Sequence, residues 1–290
     1  FYYLMHKYIL LLLAIYSLGF SLRPFAQQNT LLYSVNHEGM EYTSYLFGTM
    51  HVMSEERFFF PVDIEKYLSK CNALCLEIKN VSEQSIDPSS LFDSSKQIED
   101  FCTASQWDSL VTWAGRDLLM SKENFENNFK NAKPFVLMQF MLQNTLPLVS
   151  KSHEEELEKL ADSLNLKPLG LETIEEQLNI FNSIEYAIQI EMLMNQLREL
   201  KQSKTDFETM ETIYNSQNLD SLCAYSQSDI MNMMREELLI NRNLNWMSKI
   251  VSIIDNQSVF LAVGAAHLCG SEGLIELLSK QGYIIEGIKL

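Results

Sequence analysis

Two short motifs, Gly48-Thr-Met-His51 and Gly264-Ala-Ala-His267, carry the residue types best able to do chemistry in this chain. A neutral imidazole ligates zinc, manganese, cobalt or iron, and it also moves protons near neutral pH. The chain has five histidines, and His6 falls in an apolar leader; two of the other four occupy the same Gly-x-x-His frame, 216 residues apart. Each motif follows a strand-like apolar stretch, Tyr45-Leu-Phe47 before the first and Val259-Phe-Leu-Ala-Val263 before the second, and each precedes a helix-like segment. Glycine lets a chain turn sharply off a strand, so a histidine three residues on is expected to point back over the strand end. Two such units facing each other would bring two imidazoles together.

Acidic and basic candidates complete the set. Ala73-Leu-Cys-Leu-Glu-Ile78 reads as a short apolar strand holding Glu77. A carboxylate seldom sits in so apolar a run unless it is paired or ligated. Glu172 follows Leu169-Gly-Leu171 at another strand end. Of two such acids, one can ligate a metal while the other acts as general base on water. Arg242 lies in the helical stretch Asn241-Arg-Asn-Leu-Asn-Trp246, beside Asn243, where it could orient a carboxylate or stabilise an oxyanion. A buried ion pair with Arg242 is the competing role for both glutamates.

The elements that must position these groups read as strands at both ends and helices between. Leu31 to Val35 and Tyr42 to Phe47 suggest a hairpin turning at Glu38-Gly39. Pro61 to Lys70 fits a short helix, and Lys79 to Ser95 is a polar loop. Ile98 to Val149 and Glu154 to Leu164 have helical period, the second capped by Ser152 or His153. Leu166 to Leu171 is a strand whose Pro168 suits a start or an edge. Ile174 to Asn256 is mostly helical, broken near Ser216 to Leu219, and the last 33 residues read strand, Gly-x-x-His, helix, strand. The fold class expected is therefore mixed α/β: a central mixed sheet from the N- and C-terminal strands, a largely helical middle, and two related halves each carrying a Gly-x-x-His motif.

Composition bounds the function. The 47% apolar content is that of a globular protein, and a formal net charge of −16 with no dense basic run argues against nucleic-acid partners. The run His153-Glu-Glu-Glu156 reads as a solvated helix N-terminus. Tyr8 to Phe20 is an apolar run of 13 after Lys7, followed by Arg23-Pro-Phe-Ala26. It is short for a bilayer span and reads as a secretory signal peptide over residues 1–26, leaving a single domain over 27–290. The protein is then exported, periplasmic or secreted, and meets a membrane only through an uncleaved leader. The five cysteines show neither a disulfide framework nor a Cys-x-x-Cys knuckle, and Cys269, two residues after His267, could approach a metal or pack as a small hydrophobe.

The chain resembles the TraB/GumN family, which includes pheromone-shutdown proteins and the Tiki metalloproteases. The resemblance rests on Leu31-Leu-Tyr33, Ser44-Tyr-Leu-Phe-Gly-Thr-Met-His-Val52, Leu76-Glu77, and Leu169-Gly-Leu-Glu-Thr173 with Gln177. It continues through Arg242-Asn243, Val263-Gly-Ala-Ala-His-Leu268, Gly270 and Gly282-Tyr283. Asn218-Leu219 departs from it, standing where a Gly-Asp-Leu-like turn is expected. The resemblance implies a metal-dependent hydrolase site in which His51, His267 and Glu77 hold a divalent ion (Mn, Co or Zn). Glu77, Glu172, Arg242 and Asn243 would serve catalysis on a peptide or protein substrate. The fold is also similar to that of haem- or iron-binding ChaN-like proteins and of erythromycin-esterase-like (EreA) relatives. Two alternatives stand beside the metallohydrolase. One is a non-catalytic haem or metal binder, whose pocket the run Phe58-Phe-Phe60 could line, that run otherwise being core. The other is a metal-free His/Glu esterase-like hydrolase, although no Gly-x-Ser-x-Gly motif is present.

Overall fold

Antiparallel pairing of β1 (Leu32–Asn36) with β2 (Ser44–Thr49) forms the expected hairpin, with Gly39 in its turn at φ 90°. This computed structural model of the protein describes residues 29–80, 86–147, 149–225 and 235–290. The leader over 1–26 lies outside the described residues, as do 81–85 of the polar loop. After β2 come β3 (Met53–Ser54), α1 (Ile64–Leu68) and β4 (Ala73–Leu76). Next are α2 (Ala104–Asp117), opened by a capping box between Thr103 and Gln106, α3 (Lys122–Phe129) and α4 (Pro134–Thr145), with Pro134 in its first turn. Then follow β5 (Ser150–Lys151), α5 (His153–Ser163), β6 (Lys167–Gly170), α6 (Ile174–Asn182) and α7 (Tyr186–Asn215). The chain ends with α8 (Leu219–Tyr225), a π-turn at Glu236–Ile240, α9 (Asn241–Asn256), β7 (Val259–Gly264), a 3-10 turn at Ala265–Leu268, α10 (Leu274–Lys280) and β8 (Ile284–Ile288).

The described residues within 83–146 and 174–207 form one compact unit, and those within 10–82, 147–173 and 208–290 form another. The first is helical. Its core packs rings against one another, Trp107 and Phe125 tilted, Phe125 and Phe129 tilted, and Phe135 and Phe181 stacked, with centroids 5.1–5.5 Å apart.

The second unit holds a six-stranded sheet in the order β6-β4-β7-β2-β1-β8. Strands β6, β4, β7 and β2 are mutually parallel, and β1 runs against its neighbours β2 and β8. The fold is mixed α/β; β1, β2 and β4 come from the N-terminal part of the chain, β7 and β8 from its C-terminal part, and edge strand β6 from its middle. Every residue of β2, β4 and β7 is buried, which explains their unbroken apolar reading. Edge strand β6 begins Lys167-Pro168, and a proline lacking an N–H costs little where one side has no partner. The break before α8 is closed by Asn218, whose side chain accepts from the Ser221 N–H at 2.7 Å. It caps the helix where the resemblance led to a Gly-Asp turn.

Candidate functional site

Four parallel strands end at one edge of the sheet, and each delivers a candidate. Thr49 pairs with Gly264 across β2 and β7, so the two Gly-x-x-His motifs leave the sheet side by side. Leu76 of β4 pairs with Ala262 on one side and Gly170 of β6 on the other, so Glu77 and Glu172 follow at the same edge. Ligand groups gather in this way at the carboxyl ends of strands in open α/β sheets. Helix α9 brings Arg242 and Asn243 down onto that edge. All of His51, Glu77, Glu172, Arg242, Asn243 and His267 meet there, and all but Glu172 are buried.

His51 stands between two carboxylates. Its Nδ1 lies 2.7 Å from Glu154 Oε1, and its Nε2 lies 3.5 Å from Glu77 Oε1. Glu154 is itself fixed: Ser152 Oγ donates to its Oε2 at 2.6 Å and Thr49 Oγ1 donates to its Oε1. Local structure forces this meeting. Met53 of β3 pairs with Lys151 of β5, so the two-strand ribbon runs the segment after β2 alongside the start of α5, whose first turn carries Glu154. Burial alone would lower the His51 pKa, but Glu154 and Glu77 override it and push it up to about 10. Glu154 is held down at about 2: burial opposes this, and His51, Ser152 and Thr49 outweigh it.

His267 has the opposite surroundings. Its Nδ1 lies 2.7 Å from Asn243 Oδ1, and Asn243 Nδ2 donates to the carbonyls of His267 and Glu272 at 3.1 and 2.8 Å. Arg242 Nη1 donates to His267 Nε2 at 2.9 Å, which requires a lone pair there and the proton on Nδ1. Burial lowers the His267 pKa to about 3; Glu77 opposes this, and the charges of Arg242 and His51 add to it. Arg242 Nη2 also donates to Glu77 Oε2 at 2.5 Å and to Glu172 Oε1 at 2.6 Å, while Trp246 Nε1 donates to Glu172 Oε2 at 2.9 Å. Both oxygens of Glu172 are thus engaged. The Trp246 ring lies under the guanidinium, 4.6 Å from its carbon. Burial would raise the Glu77 pKa, but Arg242, His267 and His51 hold it well below the carboxylate range.

The two motif glycines serve different ends. Neither has positive φ, so the sharp turn expected of them is not what they supply. A Cβ on Gly48 would lie 2.9 Å from Leu268 Cδ1 and 3.1 Å from Ala265 Cα, so this glycine permits close packing. A Cβ on Gly264 would lie 3.2 Å from His51 Nε2 and 3.4 Å from Glu77 Oε1, so this one keeps the space between the candidates open.

That space fits a metal ion in its donor chemistry. His51 Nε2 is buried with no hydrogen-bond partner, and the same Glu77 Oε1 lies 3.5 Å from it and 3.7 Å from His267 Nε2. Two ligands of a tetrahedral ion, each about 2.0–2.2 Å from it, are roughly 3.3–3.6 Å apart. Both imidazoles have their Nδ1 against an acceptor, the arrangement that turns Nε2 toward a metal. Among the described residues no group of three or more such side chains is arranged to hold a metal ion, and Arg242 Nη1 occupies the Nε2 lone pair of His267.

Glu154, Thr49, Ser152 and Trp246 belong to this constellation without having been singled out from sequence. Glu154 was hidden in a charge run read as solvated, yet it shares a helix face with Leu157 and Ala161, which are also buried. Its neighbour His153 is a core residue, between the carbonyls of Met50 and Phe59 at 3.0 Å each, and Phe58 and Phe60 pack against its ring. Cys269 neither packs free nor faces the ion space; it is disulfide-bonded to Cys223.

A metalloprotease TIKI homolog from Nematostella vectensis is 30% identical over 64 residues, covering 21% of this chain and 14% of that protein. The chain therefore matches only a small part of that relative's length. No solved structure matches. The wider comparison agrees with the arrangement of strands and motifs: the model of the TraB/PrgY/gumN family matches residues 31–287, and the chain belongs to that family.

Proposed function

We propose that this protein is an exported metal-dependent hydrolase, a peptidase, whose ion is held by His51 Nε2, His267 Nε2 and Glu77 Oε1. The observation that carries the proposal is the convergence of two imidazole Nε2 atoms on one carboxylate oxygen, with both Nδ1 atoms held from behind. The short similarity to a metalloprotease TIKI homolog supports the same reading. A divalent ion there supplies a Lewis acid that polarises the scissile carbonyl and activates water near neutral pH. Glu154 positions His51 by accepting its Nδ1 proton, and Asn243 does the same for His267. Glu77 Oε1, also held by the Gly264 N–H at 2.8 Å, is the carboxylate oxygen nearest both imidazoles and would complete the ligand set. Glu172 and Trp246 hold the Arg242 guanidinium, whose charge stabilises the oxyanion that forms on the carbonyl. The manganese, cobalt and zinc forms all suit this mixed nitrogen and oxygen set.

A metal-free hydrolase is the second reading, favoured by one contact: Arg242 already fills the His267 lone pair. There His51, oriented by Glu154 and protonated near neutral pH, would act as a general acid through its unpartnered Nε2. Peptide-library cleavage by protein stripped with chelator, with metal loss verified by elemental analysis, separates the two. The metal reading expects activity to vanish and to return with Mn, Co or Zn. Cleavage that survives stripping refutes it and favours the His–Glu mechanism.

A further inference from the structure

The turn that presents His267 is held from two sides. On one side Asn243 donates to the carbonyls of His267 and Glu272. On the other, Cys269, two residues after His267, is bonded to Cys223 of helix α8. The turn is tightly folded on itself: a Cβ on Gly273 would lie 2.4 Å from the Leu268 carbonyl oxygen and 2.6 Å from that of Cys269. Helix α8 is anchored in its turn. Asn29, just ahead of β1, donates to Asn218 and Asp220 at 2.9 and 3.0 Å and accepts from the Asp220 N–H at 3.0 Å. A covalent path therefore runs from an anchored helix to the residue next but one to His267. Cys269 is buried, and Cys223 is half-buried.

We propose that the Cys223–Cys269 disulfide is a redox-set positioning clamp for His267, and that a dithiol reductant opens it. The dithiol's thiolate attacks the more accessible sulfur, that of Cys223, and the S–S bond breaks with its electron pair leaving on Cys269, which takes up a proton. The reductant's second thiol then attacks the mixed disulfide, leaving as a cyclic disulfide and releasing the Cys223 thiol. Two electrons and two protons pass from the dithiol to the cystine. With the bond open, the turn keeps its contacts to Arg242 and Asn243 of α9 but loses its covalent tie to α8, and the His267 ring is held less firmly opposite His51. The consequence for the ion rests on the metal reading above; the consequence for the turn does not.

The test compares oxidised full-length protein, the same protein after dithiothreitol with free thiols counted, and Cys223→Ser, which leaves the buried Cys269 in place. Native-state amide exchange is read at residues 264–269 and, as an internal reference, in the β1–β8 ladder. The expectation is exchange at least tenfold faster in the turn, with the ladder unchanged, and reversal on reoxidation. Zinc affinity, measured by chelator competition, should weaken at least tenfold in parallel. Turn exchange unchanged after verified reduction, or acceleration equal in turn and ladder, overturns the clamp, the second result marking a general staple. If oxidised protein binds no zinc, the metal reading fails while the exchange experiment still decides the clamp.

Discussion

Replacing Gly264 with alanine isolates the space on which the proposed site depends. Its backbone, at φ −49° and ψ 134°, is open to any L residue, so the substitution acts through its methyl group alone. That methyl would sit 3.2 Å from His51 Nε2, 3.4 Å from Glu77 Oε1 and 3.7 Å from His267 Cδ2. Neither neighbour can retreat freely. His51 is tied to Glu154 at 2.7 Å and Glu77 to Arg242 at 2.5 Å. Overpacking of this kind costs about 1–3 kcal/mol, and the reduced freedom of the unfolded chain returns about 0.4–1 kcal/mol. The net loss is then about 0–2.5 kcal/mol, a fall in Tm of at most ~10 °C at this chain length. The methyl also fills the position where three donors converge, so zinc affinity should drop by about 100-fold or more, beyond the 10–100-fold typical of losing an outer-shell partner. Gly48→Ala is the control. Its methyl meets Leu268 and the Ala265 backbone rather than the donors, so it should lower Tm and spare zinc affinity in the folded fraction. Calorimetry beside chelator-competition titration measures both. A Gly264→Ala protein that folds and binds zinc within twofold of wild type would show that the ion space is elsewhere.

Glu77→Gln should lower kcat by about 100-fold or more, since a neutral amide is a poor ligand for a divalent ion; its Tm should fall by only a few degrees, because Glu172 still pairs Arg242, and wild-type turnover would remove Glu77 from the chemistry. Glu154→Gln should weaken zinc binding by about 10–100-fold with the fold kept, as expected for the group that orients a ligand from behind; unchanged affinity in a zinc titration would reduce Glu154 to a packing residue. In metal-stripped protein, stability should depend on pH through the two histidines in opposite senses. His51 is pushed up from 6.5 to about 10, so its contribution is complete below about 6.5 and fades as pH rises through 10. His267 is lowered from 6.5 to about 3, so its contribution is complete above about 6.5 and is lost as pH falls through 3. The Tm difference between wild type and His51→Gln should therefore shrink between pH 7 and 10, and a flat difference curve contradicts the assigned environment of His51.

The sheet was legible where strands are apolar throughout. Tyr45 to Phe47, Ala73 to Leu76 and Val259 to Val263 are buried on both faces, so composition alone marks them. Strand order was not, because β4, β7 and β2 are joined by crossovers whose lengths say nothing of which neighbours pair. Two-residue strands such as β3 and β5 carry no period to read, yet their pairing carries Glu154 to His51. The same residue shows why charge runs mislead. Three consecutive glutamates look solvated, but a helix turns each to a different face, and only Glu154 lies over Leu157 and Ala161 on the buried one. Glu77 was readable because a single acid at the end of an apolar strand must be paired or ligated to be buried at all. The Cys223–Cys269 bond joins residues 46 apart with nothing local to pair them.

Repetition of the Gly-x-x-His frame suggests equivalent histidines, and the charges around them say otherwise. Three buried or nearly buried carboxylates stand in the cluster with a single guanidinium: Glu77 and Glu172 pair with Arg242, and Glu154 pairs with His51. With both imidazoles neutral, two negative charges remain uncompensated in a region that water hardly reaches. A burial of that kind is costly unless a cation accompanies it. A proton on His51 supplies one positive charge, which is why that ring is pushed so far up. His267 cannot supply the second, because Arg242 donates to its Nε2 and keeps it neutral. On the metal reading proposed above, a divalent ion would supply both charges at once, at the one buried ring nitrogen of a histidine that lacks a partner among the described residues, with His267 joining only where Arg242 gives up its Nε2. Charge compensation is thus a second ground for the metal reading, drawn from the same contacts as the donor geometry.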